Sequence, residues 1–483
     1  MTGSRATTCL MAQRRTDRLS LCVAPAMTRT SNHHAVIIGA SVAGLFTARV
    51  LADHFTKVTV LDRDDLPEGG TARKGAPQGR HAHALLAAGQ RTLMELFPGI
   101  ADELLADGAT LINFNEGRWY QAGGYRSKIN KKRAAISASR PLLEHHLRRR
   151  VAALPNVQIR SSVAVDGLLY DGRRVRGVQV CEDGTLSGIT GDLVVDCSGR
   201  SSRASAWMEQ IGYPTPKVDH VKCEQVYSTR IFRRSPSDMD ATFAITIESP
   251  ADGKRAAFVV PIEGDRWIVT LGDRFTAPIT DEATFQAFAL GLPAPEAGHV
   301  VTRAEALTPV MNHRMTSSQR RRYEKLRRVP AGFVTLGDAI CSFNPIYGQG
   351  MSSSALQAVA LGRAVARHGI ADTELPKGFY RQAAKVIDSP WKIAVGADFA
   401  YPETTGPKPI GTNLVNRYMA RVLMATRVSP EINATMLEVQ QLTSPPSVLF
   451  RPSFILAVRK AARQAERQMS EEPAAPLVPA AAA

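Results

Sequence analysis

Cysteine is scarce in this chain of 483 residues, and none of the six is placed to hold a metal or form a redox pair. Cys9, Cys22, Cys181, Cys197, Cys223 and Cys341 include no CxxC spacing. That speaks against a zinc ribbon or a thioredoxin-type site and for free thiols in a reducing, cytoplasmic setting. Long apolar runs are missing too. Nothing approaches the ~18 residues of a membrane-spanning helix, so a soluble protein is expected. Acidic side chains are the minority, 44 against 60 Lys and Arg, and the formal charge is +16. Such an excess raises nucleic acid or an acidic membrane as partners. The cations are dispersed, however, with short runs only at 131–133, 148–150 and 320–322. A solvated basic face accounts for them, and no nucleic-acid partner is expected. The milder functional reading is attraction of an anionic cofactor or acidic substrate. His81 and His83 lack a second pair of ligands, so no metal is expected.

With 44% apolar residues the chain can build real cores in two or three domains. Residues 1–33 are polar and Arg-rich and read as a disordered extension, with Met27 as a second candidate start; 19–27 is too short and mixed for a signal core. Residues 471–483, rich in Glu, Pro and Ala, read as a disordered tail.

The informative stretch is Val-Ile-Ile-Gly-Ala-Ser-Val-Ala-Gly at 36–44, followed by apolar residues at helical spacing. It reads as strand, tight turn and helix. Gly39 makes the turn and Gly44 lets the helix approach the sheet. The helix N-terminus then offers free N–H groups and a favourable dipole to a pyrophosphate. Ser41 stands where the dinucleotide fingerprint has its second glycine. It is small enough to admit the pyrophosphate, and its hydroxyl can donate. Such a turn also occurs without a ligand, but a second strand at 57–61 ends in Asp62, eighteen residues after Gly44. The acidic residue that binds a ribose hydroxyl is expected about twenty residues on.

The segment 73–83 carries two glycines and a proline and is a loop, expected to pack against the cofactor with Arg73 or Arg80 near its phosphates. Residues 84–106 read as helix, interrupted at Pro98 and Gly99. Ser139 caps a further helix with Pro141 in its first turn. Arg140 then sits at a helix start, against the dipole, and an anionic cofactor would hold it there. A small strand meander is expected over 157–180. A buried strand ends at Asp196 and breaks at Ser198 and Gly199. Alternation over 221–272 predicts antiparallel strands at 242–247, 255–262 and 266–271, with a hairpin at 263–265. Another buried strand ends in Gly337 and Asp338. The chain then turns through Pro345, Tyr347, Gly348, Gln349 and Gly350, and a helix starts at Met351. Helices follow over 376–469, broken at 401–409 and 443–446.

Three of these segments, at 39–44, 196–203 and 337–350, resemble in sequence, order and spacing the FAD-dependent monooxygenases of the para-hydroxybenzoate hydroxylase-like family. The run Asn-Pro-Ile-Tyr-Gly-Gln-Gly-Met at 344–351 is most similar to the flavin epoxidases of polyether biosynthesis and, more distantly, to squalene epoxidase. The resemblance covers roughly residues 34–400. It implies an α/β fold in which a Rossmann-like FAD-binding domain (34–215 and 326–372) is interleaved with an antiparallel-sheet substrate domain (216–325) and followed by C-terminal helices (373–470).

Carried over, the resemblance puts Gly39, Ser41, Val42, Ala43 and Gly44 on the FAD pyrophosphate and Asp62, with Arg63 beside it, on the adenosine ribose. Arg73, Arg140 and Gly199 lie near the cofactor, and Gly337 and Asp338 at its ribityl chain. Pro345, Gly348, Gly350 and Met351 lie beside the isoalloxazine. Tyr347 and Gln349 are near the ring by motif position, and no single catalytic side chain is assigned. Many family members have Asp-Gly where this chain has Ser198-Gly199, so NAD(P)H is the electron donor either directly or through a separate flavin reductase. The implied reaction is oxygen transfer from a flavin C4a-hydroperoxide, kept from water, to a small apolar substrate of polyketide, terpene or aromatic type. Molecular oxygen is the second substrate, and the outcome is epoxidation or hydroxylation. A reductase of the geranylgeranyl-reductase kind is an alternative. So is a non-catalytic flavin-fold binding protein, which Gly337 and Asp338 argue against. A halogenase would carry Trp-x-Trp-x-Ile-Pro, which is absent. Membrane contact through 447–467 ranks below burial of that segment's apolar face.

Overall fold

The computed structural model describes residues 32–130 and 133–471. The expected terminal extension and tail lie almost wholly outside these residues, as do Cys9, Cys22, Met27 and most of the basic run at 131–133. Five parallel strands form the first layer, in the spatial order Phe333–Thr335, Leu193–Asp196, His34–Ile38, Lys57–Leu61 and Val157–Arg160. The central strand is apolar and buried on both faces, as a parallel sheet covered on both sides requires.

Helix Val42–Leu51 packs between helices Arg140–Ala152 and Gly350–His368. Its approach to the sheet is so close that a Cβ at Gly44 would run into the Gly39 carbonyl oxygen. Gly39 itself has φ +102°, in the left-handed region, and a Cβ there would lie 2.7 Å from the Cys197 carbonyl oxygen.

Several elements differ from expectation, among them the C-terminal helices, which break also at 426–429. Val157–Arg160 is not part of the meander but the outer strand of the parallel sheet. The Asn156 side chain donates to the carbonyls of Ala52 and Phe55, which pins this corner to the end of the first helix and delivers the strand alongside Lys57–Leu61. The meander is the antiparallel trio Ala164–Tyr170, Val175–Glu182 and Thr185–Thr190. The helix expected from residue 84 starts at Ala87, because the backbone of Leu86 is extended; it is split into Ala87–Leu96 and Ile100–Ala106 at the expected Pro98 and Gly99.

The second layer is an eight-stranded sheet built on Val218–Arg233, Arg266–Arg274, Ala256–Ile262 and Met311–Arg321. It is mixed: Ala244–Ile247 pairs antiparallel on one side and parallel with Arg118–Gln121 on the other. Arg118–Gln121, Gly124–Tyr125 and Cys341–Ser342 join it from segments grouped by sequence with the FAD-binding part, so the two layers are stitched together at both edges. The period of two sorts its faces. Ala257 and Val259 enter the core beneath helices Glu282–Leu290 and Glu296–Arg303, while Phe258 and Val260 face a cavity between the layers. Helices Leu375–Asp398, Thr412–Ala425, Pro430–Gln440 and Pro452–Glu471 close the far side, the last three around a core that includes Val422, Ile432, Met436 and Val458.

Gly44→Ala is expected to cost about 1–3 kcal/mol, read as a lower urea midpoint at unchanged slope. Gly396→Ala, in a helix with nothing within 4 Å of an added Cβ, is the control and should be neutral or stabilising.

Candidate active site

The turn after the first strand is wired to the tip of the second: the Ala40 N–H donates to Asp62 Oδ2 at 2.7 Å. No side chain caps helix Val42–Leu51 and no carboxylate lies in its first turn, so its N-terminal donors stay open to an anion. Ser41 donates to Glu144 Oε1 at 2.6 Å and accepts from Arg140 Nη2 at 2.8 Å. Arg140 Nε binds the same glutamate oxygen at 2.9 Å. Arg73 reaches the other oxygen of Glu144 at 3.3 Å, Asp62 at 3.2 Å and Asp64 at 2.9 Å. Burial alone would raise Glu144, but Arg140, Arg73 and the Ser41 hydroxyl hold it below the ordinary carboxylate value. Arg140 thus has a partner one turn along its own helix, where the sequence suggested only an anionic cofactor.

At the other end, Asp338 has no hydrogen-bond partner among the described residues; burial raises it, tempered by Arg140 and Arg200. The Asn344 side-chain Oδ1 accepts from the Ile346 N–H and caps the turn Pro345–Tyr347. Helix Gly350–His368 then starts, again with no capping side chain and no acid in its first turn. Gln349 Oε1 is buried without a partner.

Both ends open into one cavity of about 1850 Å³. Gly39, Ser41, Val42, Ala43, Asp62, Arg63, Arg73 and Arg140 line one part, with Gly199 and Asp338 next. Pro345, Tyr347, Gly348, Gln349, Gly350 and Met351 line the following stretch. Gly44 and Gly337 stand behind this wall as close-packing positions: a Cβ at Gly337 would meet that of Ala43 at 2.9 Å. Arg80 is exposed and outside the lining, unlike Arg73. Past the turn the walls become apolar, with Phe243, Phe258, Trp391, Met419 and Met436. Pockets for one drug-sized ligand run to about 1,000 Å³, so this one has room for an extended dinucleotide and a second molecule.

The family described as FAD binding domain matches residues 32–387, a span that contains every residue placed on the cavity wall from Gly39 to Met351 but not Trp391, Met419 or Met436. The chain belongs to that family. Protein Rv3254 of Mycobacterium tuberculosis is 36% identical over 389 residues, 77% of this chain and 81% of that one. The flavin-dependent brominase Bmp2 superposes with a TM-score of 0.65 at 14% identity, covering 91% of this chain and all of the other. The p-nitrophenol 4-monooxygenase PnpA of Pseudomonas putida gives 0.59 at 17%, covering 85% and 98%. At such identities these structures share the fold. The chain is therefore an FAD-dependent oxidoreductase, and it shares its fold with the brominase and the monooxygenase.

Two features of this flavoenzyme lie outside its sequence motifs. The first fastens the Asn344–Gly350 turn. Asp398, the last residue of helix Leu375–Asp398, accepts from Arg274 Nη1 at 2.8 Å, Asn344 Nδ2 at 2.9 Å and the Tyr347 hydroxyl at 3.1 Å. Arg274, which ends its strand, also stacks 4.3 Å above the Tyr401 ring. Both charged groups are almost wholly buried, 2% and 0% exposed. Against the pull of burial, Tyr347 and Asp398 keep Arg274 firmly protonated. Sequence carries no local signal for this pair, since 124 residues separate its members.

The second is a line of neutral donors and acceptors on the cavity wall. The Ala82 N–H donates to Thr270 Oγ1, which is 2.7 Å from Thr229 Oγ1, itself 2.8 Å from His81 Nδ1. Burial, reinforced by His313, His83 and Arg80, pushes His81 down to about 3; burial and Arg140 push His83 down to about 4. Both imidazoles are neutral near pH 7 and serve as hydrogen-bonding groups rather than cations. The motif loop 73–83 had flagged these histidines, but not the threonine that His81 meets on the sheet or the Arg140 contact of His83.

Asp398→Ala leaves the Arg274 charge buried and unpaired, and is expected to cost about 3–5 kcal/mol in denaturant unfolding. The double substitution Arg274→Met/Asp398→Leu should cost less than that single one.

Proposed function

We propose that the enzyme is an FAD-dependent monooxygenase that inserts one oxygen atom, by epoxidation or hydroxylation, into an apolar substrate of secondary-metabolite type. The observation that carries this reading is the gradient along a single cavity, charged at Asp62, Arg73 and Arg140 and apolar beyond Tyr347. Such a wall suits an extended polar cofactor at one end and an apolar molecule at the other.

The residues present fit FAD. An uncapped helix N-terminus behind Gly39, Ser41, Val42 and Ala43 suits a pyrophosphate, with Arg140 beside it. Gly44 supports that approach from behind. Asp62, held in place by Arg73 and the Ala40 N–H, suits the adenosine ribose, with Arg63 at the rim. Asp338, lacking a partner, suits a ribityl hydroxyl; Gly337 packs closely behind it against Ala43, and Gly199, at φ +85°, leaves its side of the wall open. Pro345, Gly348, Gly350 and Met351 suit the flavin ring, with the helix dipole behind them favouring negative charge there. When bound and reduced, FAD supplies the activation of molecular oxygen. Phe243, Phe258 and Trp391 exclude water from the same space. Tyr347 holds the turn through Asp398, and Gln349 Oε1, buried and unpaired, is open to a donor such as a ring N–H. Electrons come from NAD(P)H, directly or through a flavin reductase.

Aerobic incubation with NAD(P)H, with and without a generic flavin reductase, against a panel of alkenes and phenols tests this. The expected product gains one oxygen atom that carries label from ¹⁸O₂. Saturation of a prenyl double bond under anaerobic conditions would point to the reductase alternative, and a brominated product in bromide buffer would point to a halogenase. Either as the sole product sinks the proposal.

A further inference from the structure

We infer that the C-terminal helical lobe docks on an anionic lipid surface, with the mouth of the cavity facing the bilayer. The loop before helix Thr412–Ala425 presents Ile410 fully exposed, and the first turn presents Leu414 at 67% exposure. Tyr418 lies one turn further on, its ring 5.4 Å from that of Phe450, which is 44% exposed. The Tyr418 hydroxyl donates to the Leu449 carbonyl and ties the two segments into one surface. Pro409, Ile410, Val415 and Phe450 also line the cavity, so this apolar tip is the rim of its opening.

Charge chooses the occupant. Residues 404–430 and 439–465 contain no Asp or Glu. Around the tip stand Lys408, Arg417, Arg421 and Arg451, all exposed, and none has a carboxylate partner among the described residues. An isologous contact with a second copy would bring these like-charged rims together. A bilayer with anionic headgroups satisfies both features at once: the apolar tip enters the headgroup–acyl boundary while the arginines and lysine meet the lipid charges, each worth on the order of fivefold in partitioning. No helix among the described residues is long and apolar enough to span a membrane, so the contact is peripheral. It also gives a molecule dissolved in the bilayer a direct path to the apolar end of the cavity.

Flotation of the FAD-loaded full chain with phosphatidylcholine vesicles, with and without phosphatidylglycerol, tests the inference independently of any turnover. The wild type should float with the anionic vesicles and bind the neutral ones on the order of several hundredfold less. Ile410→Asp/Leu414→Asp and Arg417→Glu/Arg451→Glu alter exposed positions; the first should lose about tenfold or more in binding and the second about 25-fold or more. Arg173→Glu/Arg303→Glu, with the same charge change on the strand meander and on a helix over the eight-stranded sheet, should stay close to wild type. The inference is overturned if the wild type does not float, if the tip variant floats as well as the wild type, or if the remote pair loses as much as the rim pair. It is equally overturned if sedimentation shows a dimer that the tip variant splits while neither protein floats.

Discussion

The buried pair Arg274–Asp398 is the constraint on which the active-site geometry rests. Arg274 comes from the eight-stranded sheet, Asp398 from the C-terminal helices, and the groups they share, Asn344 and Tyr347, from the turn that leads back into the parallel-sheet layer. Three parts of the chain meet at one carboxylate oxygen. Two charges so deeply buried are expensive unless their geometry is satisfied. Drift of the turn would strip that buried carboxylate of the Asn344 and Tyr347 donors, and the cost of leaving it short of hydrogen bonds holds Gly348, Gln349 and Gly350 at a fixed place on the cavity wall.

Elsewhere the site works by what is left open. The two helices that point at the cavity, Val42–Leu51 and Gly350–His368, both lack a capping side chain and a first-turn acid. Either would have been stabilised by one, so an anionic or electron-rich ligand is the natural complement. The charged cluster nearby is paired internally and carries no excess of cations: Arg73 and Arg140 are spread over three carboxylates, Asp62, Asp64 and Glu144. Such a cluster fixes side chains in advance rather than drawing an anion by net charge. The chain's excess of cations lies elsewhere, including the rim of the C-terminal lobe.

The parts of the fold legible in sequence are those written in local patterns. Gly39 and Gly44 announced the strand, turn and helix, and Asp62 the end of the second strand, because turn chemistry and spacing act over twenty residues. The alternation in Ala256–Ile262 announced a half-buried strand, and Ser139 with Pro141 a helix start. What escaped are long-range decisions. Val157–Arg160 joins the parallel sheet because the Asn156 side chain finds two carbonyls about a hundred residues earlier. Arg118–Gln121 enters the substrate sheet by parallel pairing with a strand far down the chain. Glu144 could have been read, since it lies four residues after Arg140 on one helix face. Asp398 could not, as nothing near it in sequence records the arginine it meets.

The account's central claim is that one extended FAD spans the cavity from Asp62 to the turn before Gly350. The structure of the protein crystallised after reconstitution with FAD tests it most directly. The account predicts the adenosine ribose against Asp62, the pyrophosphate at the start of helix Val42–Leu51, the ribityl chain on the Asp338 carboxylate, and the flavin ring against residues 345–351. A cofactor lying in the reverse direction, or a flavin ring placed elsewhere with Asp338 still unpartnered, would contradict it.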